Sequence, residues 1–218
     1  KHLKENQLPL TALFITHAHA DHYGGAAYLL KQNKNIVVYA PAFEAEILQA
    51  PVLEPIYLQN GVWPYKEMRN KFIEGNAVDV QIHCYEGPLE IKSFNVKLHD
   101  VSGHSYHMLA LEYHHVLYAA DSYFDEATLK KHNIPFIIDG QKTLDSLHKV
   151  KGLTAVMGAL PSHGAYEEDF QETIDHNIQY HKRVEEELLS VISRVKSTPL
   201  DQLIAEFCSF RGVKIDNL

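Results

Sequence analysis

Thr11-Ala12-Leu13-Phe14-Ile15-Thr16-His17-Ala18-His19-Ala20-Asp21-His22 is the stretch that decides the fold. Its first six residues are short, apolar and rich in β-branched side chains, the composition of a buried strand. The next six place three imidazoles and one carboxylate at that strand's end. Nitrogen and oxygen donors of this kind suit Zn²⁺. His17 and His19 are two apart and can point the same way, whereas Asp21 and His22 follow where the chain turns toward Gly24-Gly25. The geometry suits two adjacent metals, one on the histidine pair and one on the Asp-His pair. A lone histidine is usually a packed or surface residue; it is the clustering of four ligand-type residues that carries the reading.

Composition sets the bounds. The 218 residues fit one large domain, or a domain with an appendage, and 45% hydrophobic with 22% charged residues can bury a sizeable core. Fifteen histidines form the outlier. A formal charge of −8 weighs against an extensive nucleic-acid surface. Two cysteines, Cys84 and Cys208, are sparing use that fits a reducing compartment, so a cytoplasmic setting is expected. No stretch approaches a transmembrane span.

Outward from the first strand, segment types alternate. Residues 36–40 read as a strand, and Pro41 opens a helix with Glu44 and Glu46 near its positive end. Residues 51–75 carry three prolines with Tyr57, Trp63, Tyr65 and Phe72. They read either as a surface excursion packed by its own aromatics or as a wall of a binding site that uses Trp63 and Tyr65. Strands follow at 78–85, 89–91, 94–101, 108–113 and 116–120, then helices at 125–132 and 139–149, and a last strand at 154–158. A long amphipathic helical region spans 166–195, and Ser197-Thr198-Pro199 starts a final helix. This order predicts an α/β sheet layered with helices: a catalytic unit over 1–165 and a helical segment over 166–218 packed on it.

Three further donors stand at strand ends: His104 in Ser102-Gly103-His104-Ser105, Asp121 in Ala120-Asp121-Ser122, and His163 in Ser162-His163-Gly164. HAHADH, GHS, ADS and SHG, in this order, resemble the metallo-β-lactamase superfamily from Thr11 to Gly164. The resemblance implies an αββα sandwich with a C-terminal helical extension. It implies His17, His19 and His104 on one metal, Asp21, His22 and His163 on a second, and Asp121 bridging them. Two Zn²⁺ are the implied cofactors, with iron or manganese accepted by the same donors. Family members carry strands before the first motif where about ten residues stand here, which implies an N-terminally incomplete catalytic unit.

The implied reaction is attack of a metal-bridging hydroxide on a small ester, thioester or lactone, with Asp21 orienting the nucleophile and passing a proton to the leaving group. Tyr123 is a candidate oxyanion donor, or else packs after its strand. Residues 174–189 resemble the C-terminal helix of glyoxalase II-like hydrolases, which makes His181 a candidate substrate contact, or else part of a packing face. A metal-dependent nuclease of the ribonuclease Z type is the alternative; it needs a basic track, for which Lys130, Lys131, Lys142, Lys149 and Lys151 are the best residues. The expected partner is a small molecule rather than nucleic acid or membrane, with a homodimer left open.

Overall fold

Two sheets form because apolar residues alternate along the strands and each strand has two faces to cover. The structure, a computed structural model, describes residues 2–214. In chain order the elements are α1 (His2–Glu5), β1 (Ala12–Phe14), α2 (Ala20–Tyr23), α3 (Ala26–Gln32), β2 (Val37–Pro41), α4 (Ala42–Gln49), α5 (Leu53–Leu58) and β3 (Ile82–Cys84). There follow β4 (Gly87–Ile91), β5 (Phe94–Asp100), β6 (Leu109–Tyr113), β7 (Val116–Ala120), α6 (Glu126–His132), α7 (Gly140–Lys151), β8 (Gly158–Pro161), α8 (Phe170–Val195) and α9 (Leu200–Phe210). The first sheet runs β1-β2-β3, all parallel, and the second β4-β5-β6-β7-β8, antiparallel until β7 and β8 pair in parallel.

Three apolar clusters mark the three interfaces of a four-layer sandwich. On β2, Val38 and Ala40 face α4, where Ala45 and Leu48 meet them, while Tyr39 turns the other way. Tyr39 and Cys84 from the first sheet meet Ile91, Val96, Leu98 and Leu109 from the second. On the far face, Met108, Ala110, Leu117 and Ala119 pack against Leu147 and Val150 of α7 and Phe170, Ile174 and Ile178 of α8. Helices, sheet, sheet, helices is the αββα order. The C-terminal helix shares this core, since the first turns of α8 are buried in it.

Local chemistry explains the helix starts. Asp125 accepts from the Thr128 N–H and caps α6, and Asp139 accepts from the Lys142 N–H and caps α7. α8 is one unbroken helix of 26 residues. The last strand departs from its expected position at 154–158: α7 runs on to Lys151, residues 154–156 form the turn after it, and β8 begins at Gly158. Pairing with β7 sets that register, Val116 opposite Gly158. The strand expected at 78–85 shortens to Ile82–Cys84. Residues 51–75 contain α5 and a 3₁₀ turn at Lys66–Met68. Among the described residues no helix is long and apolar enough to cross a membrane. Lys1 and 215–218, the ends of the two expected units, lie outside the described residues.

Candidate metal centre

Four strand ends converge on one edge of the sandwich. His17 and His19 follow β1, Asp21 and His22 lie on the short α2, His104 follows β5, Asp121 follows β7, and His163 follows β8. A backbone hydrogen bond from Leu109 N–H to the Thr16 carbonyl, 3.2 Å, ties the loop after β1 to the start of β6 and so joins the sheets at this edge. Ala120, just before Asp121, has φ of 53°, a left-handed conformation that alanine adopts at a cost. The distortion lets the chain leave β7 with its carboxylate turned into the site.

The seven residues form three overlapping groups whose donor atoms lie within 4.8 Å of one another: His17, His19 and His104; His17, His22 and Asp121; Asp21, His22 and His163. Asp121 Oδ2 stands 3.3 Å from His22 Nε2, 3.4 Å from His104 Nε2 and 3.4 Å from His163 Nε2, so one carboxylate faces both ends of the cluster. Asp21 Oδ2 is 3.5 Å from His22 Nε2 and 3.4 Å from His163 Nε2. His17 and His104 are buried, whereas the Asp21 and His163 side chains are open to solvent.

Second contacts aim the rings. The Nδ1–H of His104 donates to the Phe136 carbonyl at 2.8 Å, which leaves Nε2 bare and turned toward His19 Nδ1, 2.9 Å away. His17 Nδ1 meets the Thr16 hydroxyl at 3.0 Å, and its Nε2 is a buried atom without a hydrogen-bond partner. His22 Nε2 and Asp121 Oδ1 are likewise buried and orphaned. Buried polar atoms are rarely left unsatisfied. Bare imidazole nitrogens aimed at one another around a carboxylate fit a divalent metal pair, which would satisfy all of these atoms at once.

The electrostatics agree. Burial, reinforced by neighbouring imidazoles, holds His17 well below its ordinary value, and burial together with His104 brings His19 down to about 3. Burial also lowers His104. At His22 burial is outweighed by the Asp121 and Asp21 carboxylates, and the ring is raised. Burial alone would raise Asp121, but the His22, His17 and His104 rings reverse this and hold it below the usual carboxylate range. A metal requires unprotonated imidazoles. His17, His19 and His104 are held as neutral imidazoles, each with one ring nitrogen free of a proton, and His22 binds its second proton more firmly than usual. Metal affinity is therefore expected to rise with pH until His22 has lost its second proton, at a pH above the ordinary histidine value of 6.5, and to level off beyond it. Chelator competition from about pH 5.5 to 8.5 measures this, and a flat profile would contradict it.

The cluster forms the floor of a cavity of about 400 Å³. Leu58, Phe72, Ile73, Phe124, Leu129 and Phe136 wall it, with Lys131 and His132 at one side. Residues 51–75 thus reach the cavity through Glu54, Leu58, Phe72 and Ile73; Trp63 and Tyr65 do not line it and stand 66% and 74% exposed. Tyr123 is buried in the core beside α8, where burial and Glu167 raise its hydroxyl, and it does not line the cavity either. His181 lies on α8 near enough to His104 for the two to interact, is brought down to about 4 mainly by burial, and stands outside the lining. Phe72 is itself 76% exposed but lines the cavity, where a bound substrate would cover it, so Phe72→Ala is expected to raise KM about five- to twentyfold. Trp63→Ala and Tyr65→Ala should each leave KM within about twofold. Equal effects from all three substitutions would contradict this placement.

Two carboxylates escaped sequence reasoning. Glu54 lines the cavity, 3.8 Å from His19 Nε2, and burial plus the nearby Glu44 push its carboxyl up to about 7. Glu44, read from the sequence as an acid near a helix start, is fully buried. The available signal was spacing: Glu44 lies four residues before Leu48 on α4 and shares its inward face.

The same architecture recurs in known proteins. A structure of the metallo-beta-lactamase family protein TTHA1429 from Thermus thermophilus superposes with a TM-score of 0.68 at 17% identity, covering 88% of this chain and 68% of that one. The BLEG-1 B3 metallo-beta-lactamase superposes with a TM-score of 0.61 at 25% identity, covering 82% and 81%. Ribonuclease J of Mycoplasma genitalium (strain ATCC 33530 / DSM 19775 / NCTC 10195 / G37) is 52% identical over 54 residues, which are 25% of this chain and only 10% of that protein. The family description that matches residues 1–174 is the metallo-beta-lactamase superfamily, and the strand-end histidines and aspartates all fall inside that span. With the αββα layers and the donor cluster at their common edge, the chain belongs to the metallo-β-lactamase superfamily.

Proposed function

We propose that this superfamily hydrolase is a dinuclear-metal enzyme acting on a small ester, thioester or lactone, with zinc as its metal. The observation that carries the reading is the Asp121 carboxylate, set between His104 on one side and His22 and His163 on the other at the floor of the cavity. His17, His19 and His104 would hold one ion, Asp21, His22 and His163 the other, with Asp121 shared. When bound, two such ions supply an activated water and positive charge for a developing oxyanion. Asp21 lines the cavity with its carboxylate accessible, so it can orient the attacking water and pass a proton to the leaving group. The aromatic and aliphatic walls favour an apolar acyl group and keep water from it.

The local likeness to ribonuclease J favours a second reading, hydrolysis of a phosphodiester by the same residues. A net charge of −8 and a cavity with a mainly apolar lining weigh for the small-molecule substrate. Turnover of thioesters and lactones beside bis-p-nitrophenyl phosphate, before and after chelation and zinc restoration, separates the two. Thioester or lactone turnover that vanishes on chelation and returns with zinc is the expected result. Phosphodiester turnover alone would replace this reading with the nuclease.

A further inference from the structure

We propose that Glu44 is a positioning residue that locks together the two loops carrying the first metal's ligands, and thereby sets the affinity of that position more than that of the second; this rests on the dinuclear reading above. Glu44 lies on α4, outside the cavity and outside the donor groups. Its side chain is fully buried. Oε2 accepts from the Ala18 N–H at 2.9 Å. Oε1 accepts from the Ser105 hydroxyl at 2.7 Å and from the His107 N–H at 2.9 Å. Ala18 sits between His17 and His19, and Ser105 directly follows His104. Every member of the first donor group is thus one residue from a Glu44 contact, although the two loops are 85 residues apart in sequence between His19 and His104.

The chemistry suits a clamp. A buried carboxylate is costly unless its oxygens are satisfied, and here three donors converge on them. Two come from the loop after β5 and one from the loop after β1, so releasing either end frees one loop from the other. Among the described hydrogen bonds, none joins Glu44 to α2 itself, which bears Asp21 and His22 and starts two residues after Ala18, or to the loops bearing Asp121 and His163. Opening the clamp therefore loosens the first metal position more than the second, whose carboxylates and His163 have no described hydrogen bond to Glu44. Glutamine is the discriminating replacement: it keeps the shape, but its amide must present N–H groups to at least one of the loop donors, and one end lets go.

The test is a two-step metal titration of the full chain, using zinc with a competing chelator and then Co²⁺ for its visible spectrum. In Glu44→Gln the step for the histidine-rich position is expected to weaken about 10- to 100-fold, the usual effect of losing a supporting contact behind a ligand, with an altered Co²⁺ band. The other step should shift by less than about twofold. Ser105→Ala removes one arm only and should weaken the same step severalfold; it decides the matter if Glu44→Gln fails to fold. Both steps unchanged, or both weakened in parallel with a loss of thermal stability, would overturn the clamp. A wild-type chain with fewer than two metal steps would instead overturn the dinuclear reading, so the two failures are distinguishable.

Discussion

Asp121→Asn is expected to abolish turnover and to reduce bound metal from two ions per chain to one or none, while the fold stands. Asparagine keeps the shape of the side chain and removes its charge. In the wild-type chain that charge faces His22, His104 and His163 within 3.4 Å, and it is the acidic group shared by both halves of the cluster. Without it, two cations would be brought together with nothing negative between them, and their repulsion would have to be borne by neutral imidazoles and Asp21 alone. Turnover should fall by at least about 10²–10³-fold, the range found when one charge-stabilising group is removed from a preorganised site. Elemental analysis, steady-state rates and the circular dichroism of the metal-free chain measure the three parts. An Asn variant that keeps two ions and most of its activity would overturn the bridging role proposed for Asp121.

Gly103→Ala is expected to destabilise the protein by about 2–4 kcal/mol and to weaken metal binding with it. Gly103 has φ of 133°, where a side chain is strained, and a Cβ built there would lie 2.6 Å from Thr143 Cα on α7. The close approach is held by the Gly103 carbonyl, which accepts from the Ile138 and Asp139 N–H groups at 2.8 and 3.1 Å, and by the Ser146 hydroxyl, which donates to the Ser102 carbonyl at 2.7 Å. The turn that presents His104 is therefore seated on the start of α7. A Cβ would push the turn off this seat and carry His104 away from the other ligands. Urea unfolding of the metal-free chain gives the stability change, and a shift below about 0.5 kcal/mol would contradict the contact described.

The candidate donors were legible because each sits in a short, chemically distinctive sequence at the end of an apolar strand. Four strand ends on one sandwich edge then place them together without further specification. The layering was legible too, since Val38 and Ala40 alternate with Tyr39, and Met108 and Ala110 with Leu109. Less legible was anything that depends on pairing partners. The start of β8 is fixed by Val116 opposite Gly158, not by the apolar run before it. Trp63 and Tyr65 attract notice as aromatics, yet Leu58, Phe72 and Ile73 of the same excursion reach the cavity. Glu44 reads as a helix-start acid because its three donors come from residues 26 to 63 positions away. A contact of that range leaves no local trace beyond its inward spacing with Leu48.

The most direct test of the proposed dinuclear centre is anomalous scattering from crystals of the protein grown with zinc. Two peaks about 3.5–4 Å apart are predicted, one among His17, His19 and His104 and one among Asp21, His22 and His163, with Asp121 between them. A single peak, or two peaks away from Asp121, would contradict it.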